Sequence, residues 1–77
     1  MDRSKGLSMK EFNLEDNEFI ELNSLLKFMG LCESGGVAKS EIAQGHVKVD
    51  GQIELRKRCK IRKGQMVEFE KSTIRVT

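Results

Sequence analysis

The chain has no Trp, no Tyr and no Pro, with a single His, two Cys and four Phe. Each scarcity closes off a class of function. Proteins that read single strands stack bases on exposed aromatic side chains. With Phe12, Phe19, Phe28 and Phe69 as the only aromatics, most of them in apolar stripes, there is little from which to build such a platform. One His offers no pair for a metal, and it is poor material for activating a Ser or Cys nucleophile. The acidic residues are scattered over polar positions, with no Gly-rich phosphate loop among them. A chain of 77 residues buries only a thin core and has little room for an enzyme's cleft. Catalysis, a cofactor and a metal are therefore not expected. No apolar run approaches the roughly 20 residues that cross a bilayer, so no membrane partner is expected. The opening MDRSKGLSMK lacks the apolar centre of a signal peptide, and the expected location is the cytoplasm. Cys32 and Cys59 are too few for a disulfide framework and form no CxxC pair. A cytosolic chain keeps both reduced, as small apolar residues at least partly buried.

What is present is an uneven distribution of charge. The formal total is only +2, but residues 1–18 sum to −2 and residues 19–44 to −1. Residues 45–64 carry seven basic side chains against Asp50 and Glu54, or +5, and residues 65–77 balance. Within Arg56–Lys63 six of eight residues are basic and none is acidic. Such crowding points to an anionic partner.

Residues 1–10 are polar and without period, and a flexible tail is expected there, followed by one domain over residues 11–77. Glu11 to Leu14 alternate polar and apolar as in a short strand. Asp16 or Asn17 is placed to cap a following helix. Leu22, Leu25, Leu26 and Met29 fall at the spacing of a buried helical stripe, with Phe19 one turn earlier. Gly30 stops that helix. A second helix is expected from about 35 to 44, capped by Ser34, with Val37, Ala38 and Ile42 on its apolar face and Gly45 as its left-handed terminator. From Val47 the period becomes two. Val47 and Val49 alternate with His46, Lys48 and Asp50, Asp50-Gly51 is a two-residue hairpin turn, and Ile53 and Leu55 continue on the return side. A strand is expected around Cys59 and Ile61, a turn at Gly64, and a last hairpin of residues 66–70 and 73–76 around Lys71-Ser72. The fold class is α+β: two packed antiparallel helices followed by a small, mainly antiparallel sheet with hairpins.

The stretch from Leu22 to Gly51 resembles the RNA-binding domain named after ribosomal protein S4, the αL motif. The resemblance is carried by Leu22, Leu25, Leu26 and Gly30, then Ser34, Ala38, Lys39 and Ile42, then Gln44-Gly45-His46-Val47-Lys48-Val49-Asp50-Gly51. Arg56-Lys57-Arg58-Cys59-Lys60-Ile61 and Lys63-Gly64-Gln65 are similar, more narrowly, to the small stand-alone bacterial members of the YbcJ type, which extends the likeness over residues 11–77. The resemblance implies a module that grips folded RNA, with ribosomal and transfer RNA as candidates. Many members carry Arg just after the Ser. Gly35 stands there here, which shifts the burden to Lys39 and the later basic run.

The expected RNA-binding residues are Ser34, Lys39, His46, Lys48, Arg56, Lys57, Arg58, Lys60, Arg62 and Lys63, on a face formed by the second helix, the hairpin and the following strand. Each phosphate met by Lys or Arg releases counterions, which drives association. Strand alternation places Arg56, Arg58, Lys60 and Arg62 on one side if no bulge intervenes, with Lys57 and Lys63 left to turns. Ser34 opens a helix whose free amides attract an anion, and Gly35 and Gly36 allow a phosphate to approach. Ser34 serves equally well as a plain cap. Lys39 extends the basic surface or is simply solvated. His46 is a turn-region side chain that the resemblance brings toward RNA, with Lys48 pointing outward beside it. No exposed apolar stripe demands a second copy, so a monomer is expected. The rival reading is a protein-interaction or accessory module that docks on a ribosomal protein or an RNA-modifying enzyme.

Overall fold

The computed structural model describes residues 8–77. Its elements are β1 (Ser8–Phe12), β2 (Ile20–Glu21), α1 (Leu22–Phe28), α2 (Gly35–Ala43), β3 (Val47–Val49), β4 (Gln52–Ile53), β5 (Lys60–Ile61), β6 (Met66–Phe69) and β7 (Ser72–Val76). Five strands form one sheet in the order β1-β7-β6-β3-β4, while β2 and β5 form a separate antiparallel pair. The larger sheet is antiparallel except where β1 runs parallel to β7. The expected tail of residues 1–10 lies mostly outside the described residues. Its last part does not: the strand begins at Ser8, so residues 8–10 pair with Ser72, Thr73 and Ile74.

Alternation sorts the sheet's two faces. Val47, Val49, Val67, Phe69, Ile74 and Val76 point inward to one apolar cluster with Leu22, Leu25, Leu26, Ala38 and Ile42 of the helices. Their neighbours Lys48, Glu68, Thr73 and Arg75 take the opposite face, because consecutive strand residues alternate. Asp50 and Gly51 both adopt positive φ, 52° and 86°, as a two-residue turn matched to strand twist requires. Asp50 then closes the turn onto the next strand, its Oδ1 accepting Met66 N–H at 3.0 Å. Ile53 pairs with the outward-facing Lys48 and is 59% exposed, and Leu55, beyond the end of β4, is 58% exposed. The last hairpin turns on Glu70 and Lys71, since Phe69 pairs with Ser72.

The helices form as their apolar spacing predicts, with different starts. Asp16 and Asn17 do not cap α1. They lie in a turn where Asn17 N–H and Nδ2 both donate to the Leu14 carbonyl, at 3.0 and 3.1 Å. α1 begins only after β2, and its first amides are satisfied from afar: Leu22 N–H donates to Cys59 O at 2.8 Å and Asn23 N–H to Lys57 O at 3.1 Å. Phe19 is accordingly outside the helix. Ser34 caps α2, its Oγ accepting Val37 N–H at 3.2 Å. Ala38 and Ile42 are fully buried on that helix, but Val37 is 40% exposed and off the apolar face. A Cβ at Gly35 would sit 4.0 Å from Asn23 Nδ2. The start of α2 thus lies near the Asn23 side chain of α1.

Candidate nucleic-acid interface

The basic run Arg56–Lys63 is two turns bracketing a two-residue strand. Cys59 N–H closes the first turn onto Arg56 O at 3.2 Å, Lys60–Ile61 forms β5, and Gln65 N–H closes the second onto Arg62 O at 3.1 Å. The expectation of one alternating strand from Arg56 to Arg62 therefore gives way, because residues 56–59 turn to deliver their carbonyls to α1. Those carbonyl bonds, the β2 ladder and the fully buried Ile61 side chain fix the run at three points. With backbone and Ile61 turned inward, Arg56, Lys57, Arg58, Lys60, Arg62 and Lys63 are all exposed.

Four of these converge. Arg56, Lys60, Arg62 and Lys63 line an open depression of about 590 Å³, walled on its other side by the β3–β4 hairpin through Val49, Asp50, Gln52 and Ile53. Arg58 joins Arg56 and Lys60 around a smaller adjoining hollow of about 410 Å³. Arg62 and Lys63 also border a third, shared with Glu15 and Glu18 of the β1–β2 loop, so acidic side chains bound the basic surface there.

Carboxylates from outside the run temper it. Glu54 clasps Arg56 with Nε–Oε2 at 2.8 Å and Nη2–Oε1 at 3.1 Å, and also accepts Arg56 N–H at 2.9 Å. The Arg56 side chain and backbone amide together hold the Glu54 carboxyl down at about 2, against an ordinary 4.5. Glu21 of β2 takes Arg58 Nε at 3.2 Å. Among the described residues, Lys57, Lys60, Arg62 and Lys63 form no ion pair. Lys60 and Arg62 instead lie over the Phe19 ring, at 4.9 and 5.6 Å from its centroid. Register explains this contact: β2–β5 sets Ile20 opposite Ile61 and Glu21 opposite Lys60, so one further step sets Phe19 opposite Arg62 with Lys60 diagonal to it.

The other sequence candidates stand apart. Ser34 and Lys39 belong to α2 and line neither basic hollow. His46 Nδ1 is 2.6 Å from Glu41 Oε1, which ties it back to α2. Lys48 is outside the lining too, though its cross-strand partner Ile53 is part of it. Glu54, Glu21 and Phe19 are not residues to which the sequence alone assigns a binding role. Glu54 alone left a trace there, as the acid two residues before the run.

Both cysteines are free. Burial is the largest influence raising the Cys32 thiol, and the half-buried Cys59 thiol is raised in the same way, so both favour the unreactive protonated form. No group of three or more His, Cys, Asp or Glu is arranged to hold a metal among the described residues. No helix among them is long and apolar enough to cross a membrane. Phe28, at the end of α1 and off its apolar stripe, is 74% exposed, its ring 5.8 Å from that of Phe12. One such ring on α1 is not a row of stacking platforms.

Comparison with known proteins agrees with this architecture. The solution structure of YbcJ from Escherichia coli, which carries an αL motif involved in RNA-binding, superposes with a TM-score of 0.67 at 42% identity, covering 100% of this chain and 95% of that one. YbcJ of Escherichia coli strain K12 is 50% identical over 68 residues, 88% of this chain and 97% of its own length. The YbcJ sequence of Shigella flexneri matches to the same extent, 50% over 68 residues. The S4 domain model matches residues 12–77, from the end of β1 through α1, α2 and the whole basic run. On fold, identity and extent together, the chain belongs to the S4 domain family.

Proposed function

We propose that this chain is a non-catalytic module that binds folded RNA through the depression lined by Arg56, Lys60, Arg62 and Lys63. The observation that carries the reading is the convergence of four exposed cations on one anchored surface, three of them in no ion pair among the described residues. An open concavity with four basic side chains against Asp50 and Glu54, its Cys59 thiol favouring the protonated form, fits a phosphate backbone better than a small substrate. Phosphate contacts fix position and register without reading sequence. With few aromatics to stack on, discrimination comes from the spacing of phosphates, which favours folded RNA, ribosomal or transfer RNA included, over single strands. Lys57 and Arg58 extend this surface along the first turn. Ser34, Lys39, His46 and Lys48 lie outside the depression and are at most secondary to it.

The test is capture of the tagged protein from cell extract before and after ribonuclease. RNA should crosslink to the protein, and proteins that co-purify should be lost on digestion. Partners that persist undiminished after complete digestion would show a protein-docking module instead.

A further inference from the structure

Phe19 is half-buried at the entry to β2, and the family likeness assigns it nothing. Three observations single it out. Its ring has two cations over it, Lys60 Nζ at 4.9 Å and Arg62 Cζ at 5.6 Å. Both cations come from the positions that the β2–β5 ladder places directly and diagonally opposite the ring. Neither has a carboxylate partner among the described residues, in contrast to Arg56 and Arg58. The run therefore uses two means of holding its long side chains. Arg56 and Arg58 are held by acids that cancel their charge, whereas Lys60 and Arg62 are held by a neutral ring that leaves the charge intact. An aromatic face attracts a cation through its quadrupole and fills only one side of it. Both residues also line the depression, and the ring leaves their donors unclaimed by any carboxylate among the described residues.

Resting on the RNA-binding reading above, we propose that Phe19 is a positioning residue of that surface. It seats Lys60 and Arg62 side by side before RNA arrives, so that less side-chain freedom is lost on binding. Immobilising a long side chain at an interface ordinarily weakens binding by about threefold to tenfold, and a seat that does this in advance recovers part of the loss.

The experiment has one arm without RNA and one with it. In the free protein, NMR should show the side-chain methylene protons of Lys60 and Arg62 shifted upfield by the ring. They should move to ordinary positions in Phe19→Leu and stay shifted in Phe19→Tyr. With a folded ribosomal RNA fragment, Phe19→Leu should bind about threefold to tenfold more weakly and Phe19→Tyr like the parent. In a Lys60→Ala/Arg62→Ala background, Phe19→Leu should cost nothing further. If leucine loosens the β2–β5 pair, Phe19→Met fills the same space without an aromatic face and repeats the test. Unchanged proton shifts in Phe19→Leu overturn the positioning role, as does an equal loss of affinity when both cations are already absent. Parent-like binding by Lys60→Ala/Arg62→Ala overturns the RNA surface itself, and this proposal with it.

Discussion

Replacing Glu54 by Gln separates what the Arg56 clasp does for the fold from what it does to the binding surface. The substitution keeps shape and one acceptor oxygen but removes the charge that takes both Arg56 Nε and Nη2. Because the Arg56 side chain is 77% exposed, water screens the pair, and its contribution is the small one of an exposed surface ion pair. For a chain of this size the melting temperature at pH 7 should be lower by a few degrees, about 4–8 °C being the upper bound. The pH dependence follows from the carboxyl lying at about 2 in the fold against 4.5 ordinarily. The unfolded chain takes up the proton first as pH falls, so the contribution is complete above about 4.5 and is lost on the way down to about 2. Urea titrations of parent and variant should therefore differ at pH 7 and converge near pH 2. RNA affinity should move the other way. With Arg56 released and a negative charge gone from the depression, binding at pH 7 should tighten and the salt slope steepen by up to about 0.9. A stability difference equal at both pH values would refute the electrostatic account of the clasp, and weaker RNA binding would show that Glu54 poses Arg56 for its ligand.

Two further substitutions test the frame around the site. Ser34→Ala removes the oxygen that takes Val37 N–H and should cost about 1 kcal/mol by urea denaturation. Its RNA affinity should fall less than twofold if the hydroxyl is mainly a cap, a small change on the scale where 1.4 kcal/mol is tenfold. Ile61→Ala empties a fully buried site beneath the basic run and should cost about 2–5 kcal/mol, measured by the same titration.

Much of the frame was legible because its causes are local. Val47 and Val49 point inward and Lys48 outward because a strand alternates, and Asp50-Gly51 turns because those residues tolerate positive φ. Ser34 caps α2 because its hydroxyl meets the amide three residues on. What escaped depends on partners far along the chain. Nothing near Leu22 shows that its amide will be met by Cys59, so Asp16 and Asn17 looked like the cap. Two-residue strands such as β2 and β5 are too short to display alternation, so Phe19 reads in the sequence as part of the helical stripe. The parallel β1–β7 pair joins the two ends of the domain, a contact that leaves no periodic mark. For the site, the composition of the run was plain, but its convergence depends on the turns at residues 56–59 and 62–65. The clasping acids come from outside the run, Glu54 from just after β4 and Glu21 from β2.

The central claim is best tested by the salt dependence of RNA binding in Lys60→Ala/Arg62→Ala/Lys63→Ala, beside Lys39→Ala/Lys48→Ala. Filter-binding titrations with folded RNA should show the triple variant weaker toward every RNA tried, with a log-log salt slope shallower by about 2 to 3. The double variant should keep a slope within about 1 of the parent's, as side chains outside the depression should. A triple variant with the parent's slope, or a double variant that loses more slope than the triple, would contradict the account.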